Sequence, residues 1–320
     1  MNKFTKIGLS ALAGSLVAFS AQAGSLSASG SASLTFANGD DKSLTHEGNQ
    51  WTMGDSITMT GSGEMDNGMT ISVSFEIDND DVGGGNVYDS HSMTLDTNGM
   101  GTITFSGHGG SSAMSALDDV TPNGYQESWD VVTGAETSTL IGGHSGDNMF
   151  TYKSPDISGA TITVAYLNAS DDVTDNSYVD FSIVAKPEMV EGLEVGYGFG
   201  ETEVTNGTAI DESAMYVKYT YGSVTVGYQV NEADGPAAAN DLDFEALGIS
   251  YAVTDDLTIG YSTSESDVAS DSDVQEATAI GASYTSGGIT VAGSMNSVDN
   301  VGFDASADRD GYEFNVSFAF

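Results

Sequence analysis

The residues of this chain that are best placed for chemistry are carboxylates in a stretch of about forty residues without strand or helix periodicity. This stretch, 107–147, contains no lysine or arginine. The carboxylates in its interior are Asp118, Asp119, Glu127, Asp130 and Glu136. A connection of this length is uncommon in a compact domain and is usually functional where it occurs. Because clustered carboxylates favour cations, we predict a cation-attracting constriction, with a mobile surface loop as the alternative.

Other kinds of chemistry have little support. The chain has no cysteine, which excludes thiolate nucleophiles and cysteine metal sites. His108 and His144 stand near the two ends of the stretch, but no further ligand follows at the spacing of a metal site. Asp304, Asp308 and Asp310 half-match a calcium loop and lack its closing glutamate. No catalytic or nucleotide-binding motif is complete. We therefore expect that the chain is not an enzyme and that it binds no cofactor, apart from loosely bound calcium.

The charge balance limits the partners of the chain. The formal net charge is −40, with 47 acidic residues against 7 lysines and arginines. Two of these cations, Lys3 and Lys6, lie close to the first residue. The others are Lys42, Lys153, Lys186, Lys218 and Arg309. Binding to nucleic acid needs clustered cations that neutralise phosphates, so we predict that the chain does not bind nucleic acid.

Residues 1–23 have the pattern of a secretory signal peptide. A positively charged start and an apolar run precede Ala21-Gln22-Ala23, which matches a small-residue cleavage site. The apolar run is shorter than the ~20 residues that a membrane-spanning helix needs. We therefore predict that the chain is exported, that it is cleaved near Ala23, and that residues 24–320 form one domain.

Short segments on both sides of the stretch alternate apolar with polar or small residues, which is the period of a β-strand. Clear examples are Leu247, Ile249 and Tyr251; Leu257, Ile259 and Tyr261; and Tyr312, Phe314, Val316, Phe318 and Phe320. Each such segment has one apolar face and one polar face. A sandwich buries the apolar face, whereas a membrane barrel turns it outward to lipid.

The polar faces and the connections favour the membrane barrel. Many polar faces hold serine, threonine, glycine and carboxylates, and the segments approach the ~10 residues of a tilted membrane strand. Short links, such as 62–67 and 286–287, alternate with longer ones, such as 79–86 and 298–310. The prediction is an all-β fold, a transmembrane antiparallel β-barrel of about 16 strands with the long third loop, 107–147, folded into the lumen.

Taken together, these features resemble a Gram-negative general porin of the alphaproteobacterial, Rhodobacter-like type. The resemblance rests on Ala21-Gln22-Ala23, the segment from Ile57 to Phe75, the long loop after Gly101–Gly107 and the aromatic end from Phe314 to Phe320. It implies an outer-membrane channel for small hydrophilic solutes, surrounded by lipid and usually trimeric, with the third loop turned inward. It also implies that Phe320 is read as a signal by the outer-membrane assembly machinery.

The sequence departs from that family in its cations. Family pores usually set the loop carboxylates against basic residues on the facing wall, whereas only Lys218 falls mid-strand on the predicted inner parity here. Lys218 is therefore a predicted pore residue, with pairing to a nearby carboxylate as the alternative. This balance predicts a strongly negative pore that selects cations.

Three functions remain open from the sequence. The leading one is a passive diffusion channel that favours small cations and neutral solutes. The second is a substrate-specific porin in which Tyr125 and Trp129 stack on a sugar or another small nutrient. The third is a secreted β-protein without a pore, such as an adhesin with a sandwich core.

Overall fold

In the computed structural model, the chain forms a closed antiparallel β-barrel. The structure describes residues 24–39, 50–78, 88–132, 134–135, 143–168, 177–203, 209–235, 237 and 241–320. The predicted signal peptide, residues 1–23, lies outside this part of the chain. Among the described residues, no helix has both the length and the apolar character needed to cross a membrane.

Sixteen strands form the barrel wall within the described ranges. In chain order they are β1 (Leu26–Gly39), β2 (Gln50–Glu64), β3 (Thr70–Asp78), β4 (Ser90–Asp96), β5 (Thr102–His108), β6 (Met149–Lys153), β7 (Ala160–Leu167), β8 (Ser177–Ala185), β9 (Leu193–Glu203), β10 (Ile210–Tyr221), β11 (Val224–Asp234), β12 (Leu242–Ala252), β13 (Leu257–Val268), β14 (Gln275–Ser286), β15 (Ile289–Asp299) and β16 (Arg309–Ala319). Each strand pairs with its sequence neighbour, and β1 pairs with β16, which leaves no free sheet edge. The predicted fold class and strand number are confirmed.

The hairpin between β14 and β15 shows how a short turn forms. Ser286 pairs with Ile289, which leaves Gly287 and Gly288 in the turn. Both glycines have positive φ, 63° and 83°, as a type I′ turn requires. Glycine adopts this conformation without the steric penalty of a Cβ, so the two glycines set the register of both strands.

The two faces of the wall differ as the alternation predicts. On β12, Leu247, Ile249 and Tyr251 are 48%, 44% and 44% exposed, whereas Phe244 and Ala246 on the other parity are each 1% exposed. We call the face with the exposed apolar side chains the outer face, and the opposite one the inner face. An apolar outer face of this kind is typical of barrels that stand in lipid.

Residues 109–148 connect β5 to β6, close to the predicted loop 107–147. We call them the long segment. Their base is closed by a short ladder between Gly110–Ser111 and Ser145–Gly146, and a 3-10 helix follows at Met114–Leu117. A second 3-10 helix, Val301–Phe303, precedes β16.

Burial is distributed unevenly around the barrel. No described residue of β1–β5 is buried, whereas many inner-face residues of β8–β16 are buried. The apolar contacts there lie between the wall and the long segment. Trp129 packs with Phe244 and Ala246, and Leu117 packs with Tyr216. The barrel therefore has a covered half, β8–β16, and an open half, β1–β5.

Candidate functional site

The long segment begins at a charged anchor on the wall. Asp180 on β8 is 3% exposed, and its carboxylate accepts hydrogen bonds from Ala113 N at 3.0 Å and Met114 N at 2.7 Å. Hydrogen bonds to an ionised acceptor are stronger than those between neutral groups. At the base of the segment, His108 Nδ1 lies 2.6 Å from Asp147 Oδ1, which joins its two ends.

The middle of the long segment lies against glycines of the inner face. Pro122 lies over Gly227 on β11 and Gly248 on β12, and Gly124 lies over Gly260 on β13. Because glycine has no side chain, another backbone can approach the strand closely at these positions. The segment therefore follows the covered half of the wall.

Two aromatic residues fix the next part of the segment, Tyr125 to Trp129, to the wall. The ring of Trp129, 2% exposed, packs edge-on against Phe244 with centroids 5.0 Å apart. Tyr125 Oη donates a hydrogen bond to Glu313 Oε1 on β16 at 2.5 Å. The predicted sugar-stacking role of Trp129 is wrong, because its ring is buried between the segment and the wall.

The predicted carboxylates other than Glu136 lie in the described part of the long segment, and Glu136 lies outside the described residues. Asp118 ends the 3-10 helix, while Asp119 and Asp130 are exposed. Glu127 is half-buried, and its backbone N–H donates to Asp130 Oδ2 at 2.8 Å. Electrostatic interactions link Asp119 to Asp118 and Asp130, and Glu127 to Asp119 and Asp130. These four residues form what we call the acidic group.

The acidic group is not fully ionised at neutral pH. Desolvation by the surrounding protein, followed by the charges of Asp118 and Asp130, raises the pKa of Asp119 to about 6. Burial, a hydrogen bond to Asp130 and the neighbouring charges raise the pKa of Glu127 to about 9. Asn123 Nδ2 also donates to Glu127 Oε1 at 2.5 Å. Since like charges this close disfavour double ionisation, Glu127 keeps its proton at neutral pH.

The open half and the adjoining strand β6 present hydroxyl groups on their inner face. One row of directly paired residues consists of Ser27, Thr60, Ser74, Ser92 and Ser106. The next row consists of Ser62, Ser72, Thr94, Thr104 and Thr151. The hydroxyl oxygens of Thr60 and Ser74 are 3.2 Å apart, and those of Thr94 and Thr104 are 2.9 Å apart. We call these two rows the hydroxyl wall, an uncharged surface whose groups both donate and accept hydrogen bonds.

Lys218 lies on β10 and pairs with a carboxylate of the neighbouring strand. Its Nζ is 3.1 Å from Glu194 Oε1, and Lys186 Nζ is 3.1 Å from Glu194 Oε2. Tyr216 Oη donates to the same carboxylate at 2.8 Å. These contacts favour the paired alternative for Lys218, and its role in the pore stays a prediction.

The predicted metal candidates are not assembled into a site. His144 stacks on Tyr178 with ring centroids 5.0 Å apart, whereas His108 pairs with the carboxylate at the base of the segment. In the part of the chain that the structure describes, no three histidine or carboxylate side chains are grouped to hold a metal ion. Loose calcium binding stays a prediction.

Phe320 lies beside β1. Its backbone N–H donates to Gly30 O and its carbonyl accepts from Gly30 N, both at 2.9 Å. Its ring is 64% exposed and stacks on Phe318 with centroids 5.7 Å apart. The backbone of Phe320 is thus paired while its side chain is accessible. Its role in assembly stays a prediction.

The sequence of this barrel matches a known protein family. Residues 8–276 match the family model of Gram-negative porins. The chain belongs to the Gram-negative porin family. This porin is therefore an outer-membrane channel protein, with its outer face toward lipid. No curated protein matches its sequence.

Several solved porins share the fold. The anion-selective porin from Comamonas acidovorans is 13% identical with a TM-score of 0.70, and the match covers 92% of this chain and 99% of that one. A substituted Rh. blastica porin is 19% identical with a TM-score of 0.69, covering 92% and 100%. A triply substituted Rhodopseudomonas blastica porin is 19% identical with a TM-score of 0.68 and the same coverage. At these identities the likeness concerns the fold alone.

Sequence reasoning missed the residues that hold the long segment of this porin. Asp180 gives no sequence signal, because it is one carboxylate among many. The glycines do give one: Gly196, Gly198 and Gly200 occupy alternate positions of β9. Glycine repeated on one face of a strand marks close approach by another part of the chain.

Proposed function

We propose that this porin forms a water-filled channel for the passive diffusion of small hydrophilic solutes, and that the channel favours cations. In this proposal the long segment lies in the lumen and narrows it, and Asp118, Asp119, Glu127, Asp130 and Glu136 border the solute path. The observation that carries the proposal is the position of the segment. It contacts the covered half of the wall, which leaves the inner face of the open half to line the path.

The distribution of charge supports the preference for cations. Two of the few basic residues, Lys186 and Lys218, already pair with Glu194. Arg309 lies near Gly134 of the long segment. A low-dielectric wall focuses the field of carboxylates, and acidic rings in pores select cations. Salt screens this field over roughly 8 Å at physiological strength, so the selectivity should decrease as salt increases.

The hydroxyl wall supports the passage of uncharged hydrophilic solutes. A solute in a constriction exchanges some hydrogen bonds with water for hydrogen bonds with the wall. Serine and threonine hydroxyls both donate and accept, so they replace water without imposing a charge. The hydroxyl wall thus adds two uncharged rows to an inner face that elsewhere carries carboxylates such as Glu76, whereas the Comamonas porin is described as anion-selective.

Reversal potential across a planar bilayer under a KCl gradient tests the proposal. The test variant carries Asp118→Asn, Asp119→Asn, Glu127→Gln and Asp130→Asn. The matched control carries Glu232→Gln, Asp243→Asn, Glu265→Gln and Asp267→Asn, which change exposed carboxylates of the outer face. We expect a cation-selective potential that the test variant weakens and the control retains. An equal loss of selectivity in both variants would show that the acidic group does not set the selectivity. A folded protein that never conducts would refute the channel.

We also propose that this porin is a homotrimer and that Phe320 serves its assembly into the membrane. The exposed Phe320 ring beside the closing strand pair supports the second part. The mass of the detergent-purified protein, corrected for bound detergent, decides the oligomeric state, and a monomer mass would refute the trimer. Phe320→Ser is expected to slow insertion by the assembly machinery while unassisted refolding in detergent proceeds.

A further inference from the structure

We infer that glycines of the wall beneath the long segment set the size limit of the channel. They are Gly227, Gly248, Gly260 and Gly281, on four consecutive strands from β11 to β14, and we call them the glycine seat. The inference rests on the proposed function and deepens it, because it names residues that determine which solutes fit. They are positioning residues, since they act through the location of the long segment.

The register of the barrel assembles the seat. Gly227 pairs directly with Gly248, and Gly260 pairs directly with Gly281. All of them belong to the inner face, so each pair leaves an area without side chains on two neighbouring strands. The two pairs are offset by two residues, because Gly248 pairs with Ser262 and Gly260 pairs with Ser250. Glycine in a strand interior weakens the strand and commonly marks close approach by another backbone. The residues from Pro122 to Tyr125 make that approach here.

A Cβ on the seat would collide with the backbone of the long segment. On Gly248 it would lie 2.1 Å from Pro122 O, and on Gly260 it would lie 2.3 Å from Gly124 N. Ordinary van der Waals contact begins near 3.4 Å. Because backbone atoms have no rotamer by which to move aside, the segment must retreat by about 1 Å from the wall. The contact is also reciprocal, since a Cβ on Gly124 would lie 2.0 Å from Gly281 O.

Contacts on both sides of the stretch over the seat restrict the direction of this retreat. Asp180 binds the backbone before this stretch, at Ala113 and Met114, and Trp129 is buried against the wall after it. With both sides fixed, the stretch over the seat can move only away from the wall, which is toward the lumen. The depth of the seat therefore determines how much of the lumen stays open.

Gly227 differs from the other three in a way that permits a rescue experiment. A Cβ on Gly227 would lie 2.4 Å from Pro122 Cδ and 3.0 Å from Pro122 Cγ, which are atoms of the proline ring. Pro122→Ala removes both atoms and should relieve that collision. The collision at Gly248 involves the Pro122 carbonyl, which alanine retains, so Pro122→Ala should not relieve it.

The experiment compares single-channel conductance in KCl and the largest polyethylene glycol that enters the pore. The variants are Gly227→Ala, Gly248→Ala, Pro122→Ala and each glycine variant combined with Pro122→Ala. The matched control is Gly61→Ala on β2, where a Cβ would meet nothing within 4 Å. We expect Gly227→Ala and Gly248→Ala to lower conductance by at least about 1.5-fold, because overpacking shifts the backbone. Pro122→Ala should restore conductance for Gly227→Ala only.

The outcomes separate this inference from the channel proposal. Unchanged or increased conductance in both glycine variants, with Gly61→Ala normal, would overturn the glycine seat and leave the channel intact. A wild-type protein that never conducts would instead refute the channel. Heat-dependent gel mobility shows whether each variant has folded. If Gly248→Ala does not fold, Gly227→Ala and its rescue by Pro122→Ala decide the question, and failure of that rescue overturns the steric mechanism.

Discussion

The Glu127 backbone N–H donates to Asp130 Oδ2 at 2.8 Å, and the side chains of the same two residues share a hydrogen bond. Two carboxyl groups that share a hydrogen bond hold one proton between them, because a second negative charge at this distance is unfavourable. The acidic group of this porin therefore carries less charge at neutral pH than its residue types indicate. Because these protons are lost as the pH rises, the ion selectivity of the channel should depend on pH.

Cation selectivity should increase with pH in two steps. Asp119 loses its proton near its pKa of about 6, and Glu127 loses its proton near its pKa of about 9. Each ionisation adds one negative charge beside Asp118 and Asp130. The reversal potential should therefore shift toward that of an ideally cation-selective pore, once near pH 6 and again near pH 9. Glu127→Gln should abolish the upper step and retain the lower one.

The control for this prediction is Asp119→Asn, which should abolish the lower step alone. Reversal potentials that stay constant between about pH 5 and pH 10 would show that the acidic group does not set the selectivity.

The architecture could be predicted because the alternation of residue types within a strand shows which of its faces is apolar. Leu247, Ile249 and Tyr251 alternate with small or polar residues, and this period identifies both the strand and its lipid-facing side. The hairpin at Gly287 and Gly288 is equally local. Such features need no knowledge of distant residues, so one sequence was sufficient to predict a closed barrel of about 16 strands with a long connection after the fifth strand.

The arrangement within the barrel could not be predicted, because it depends on contacts between distant parts of the chain. The backbone near Ala113 is bound by Asp180, which lies 67 residues away in sequence. In the substrate-specific alternative Trp129 stacks on a sugar, but its large ring is buried against Phe244 on β12. Glu127 was predicted as one of the carboxylates that attract cations, yet burial and its neighbours raise its pKa to about 9. Residue type alone gave no sign of these outcomes.

Removal of the Asp180 carboxylate should detach the beginning of the long segment. Asp180→Ala leaves the buried N–H groups of Ala113 and Met114 without their acceptor, which costs about 1–3 kcal/mol for each group. Tyr178 Oη also donates to Asp180, at 3.2 Å, and loses that partner. We expect a lower unfolding midpoint in urea and noisier single-channel currents for Asp180→Ala.

Asp180→Asn should be intermediate, because its amide retains one acceptor oxygen. The control is Asp243→Ala, which changes an exposed carboxylate of the outer face and should alter stability by less than about 0.5 kcal/mol. Equal effects of Asp180→Ala and Asp243→Ala would contradict the anchoring role of Asp180.

The chain has 2 tryptophans, which report on opposite sides of the wall. Trp51 is 59% exposed on the outer face, and Trp129 is 2% exposed beneath the long segment. Brominated lipid should therefore quench the fluorescence of Trp129→Phe, in which Trp51 remains, and should spare Trp51→Phe. Aqueous iodide should quench neither strongly. Strong iodide quenching of Trp51→Phe would show that the long segment does not bury Trp129.

The hydroxyl wall should favour polyols over ethers of similar size. Thr60→Val combined with Thr58→Val removes one hydroxyl of the hydroxyl wall and that of Thr58, two residues earlier on the inner face of β2, with almost no change of shape. Both side chains remain partly exposed, so no buried group loses its partner. In liposome swelling, we expect the rate for sorbitol to decrease at least about twofold relative to that for tetraethylene glycol, since one hydrogen bond contributes about 0.5–1.5 kcal/mol.

The matched control for the hydroxyl wall replaces another pair of threonines. Thr285 and Thr290 pair directly beside the β14–β15 turn, with their hydroxyl oxygens 2.8 Å apart. Thr285→Val combined with Thr290→Val removes the same groups from the end of the barrel, away from the long segment. The ratio of the two swelling rates should then match that of the wild type. A decrease of the same size in both variants would show that hydroxyls act anywhere along the channel, and no decrease in either would show that solute size alone governs passage.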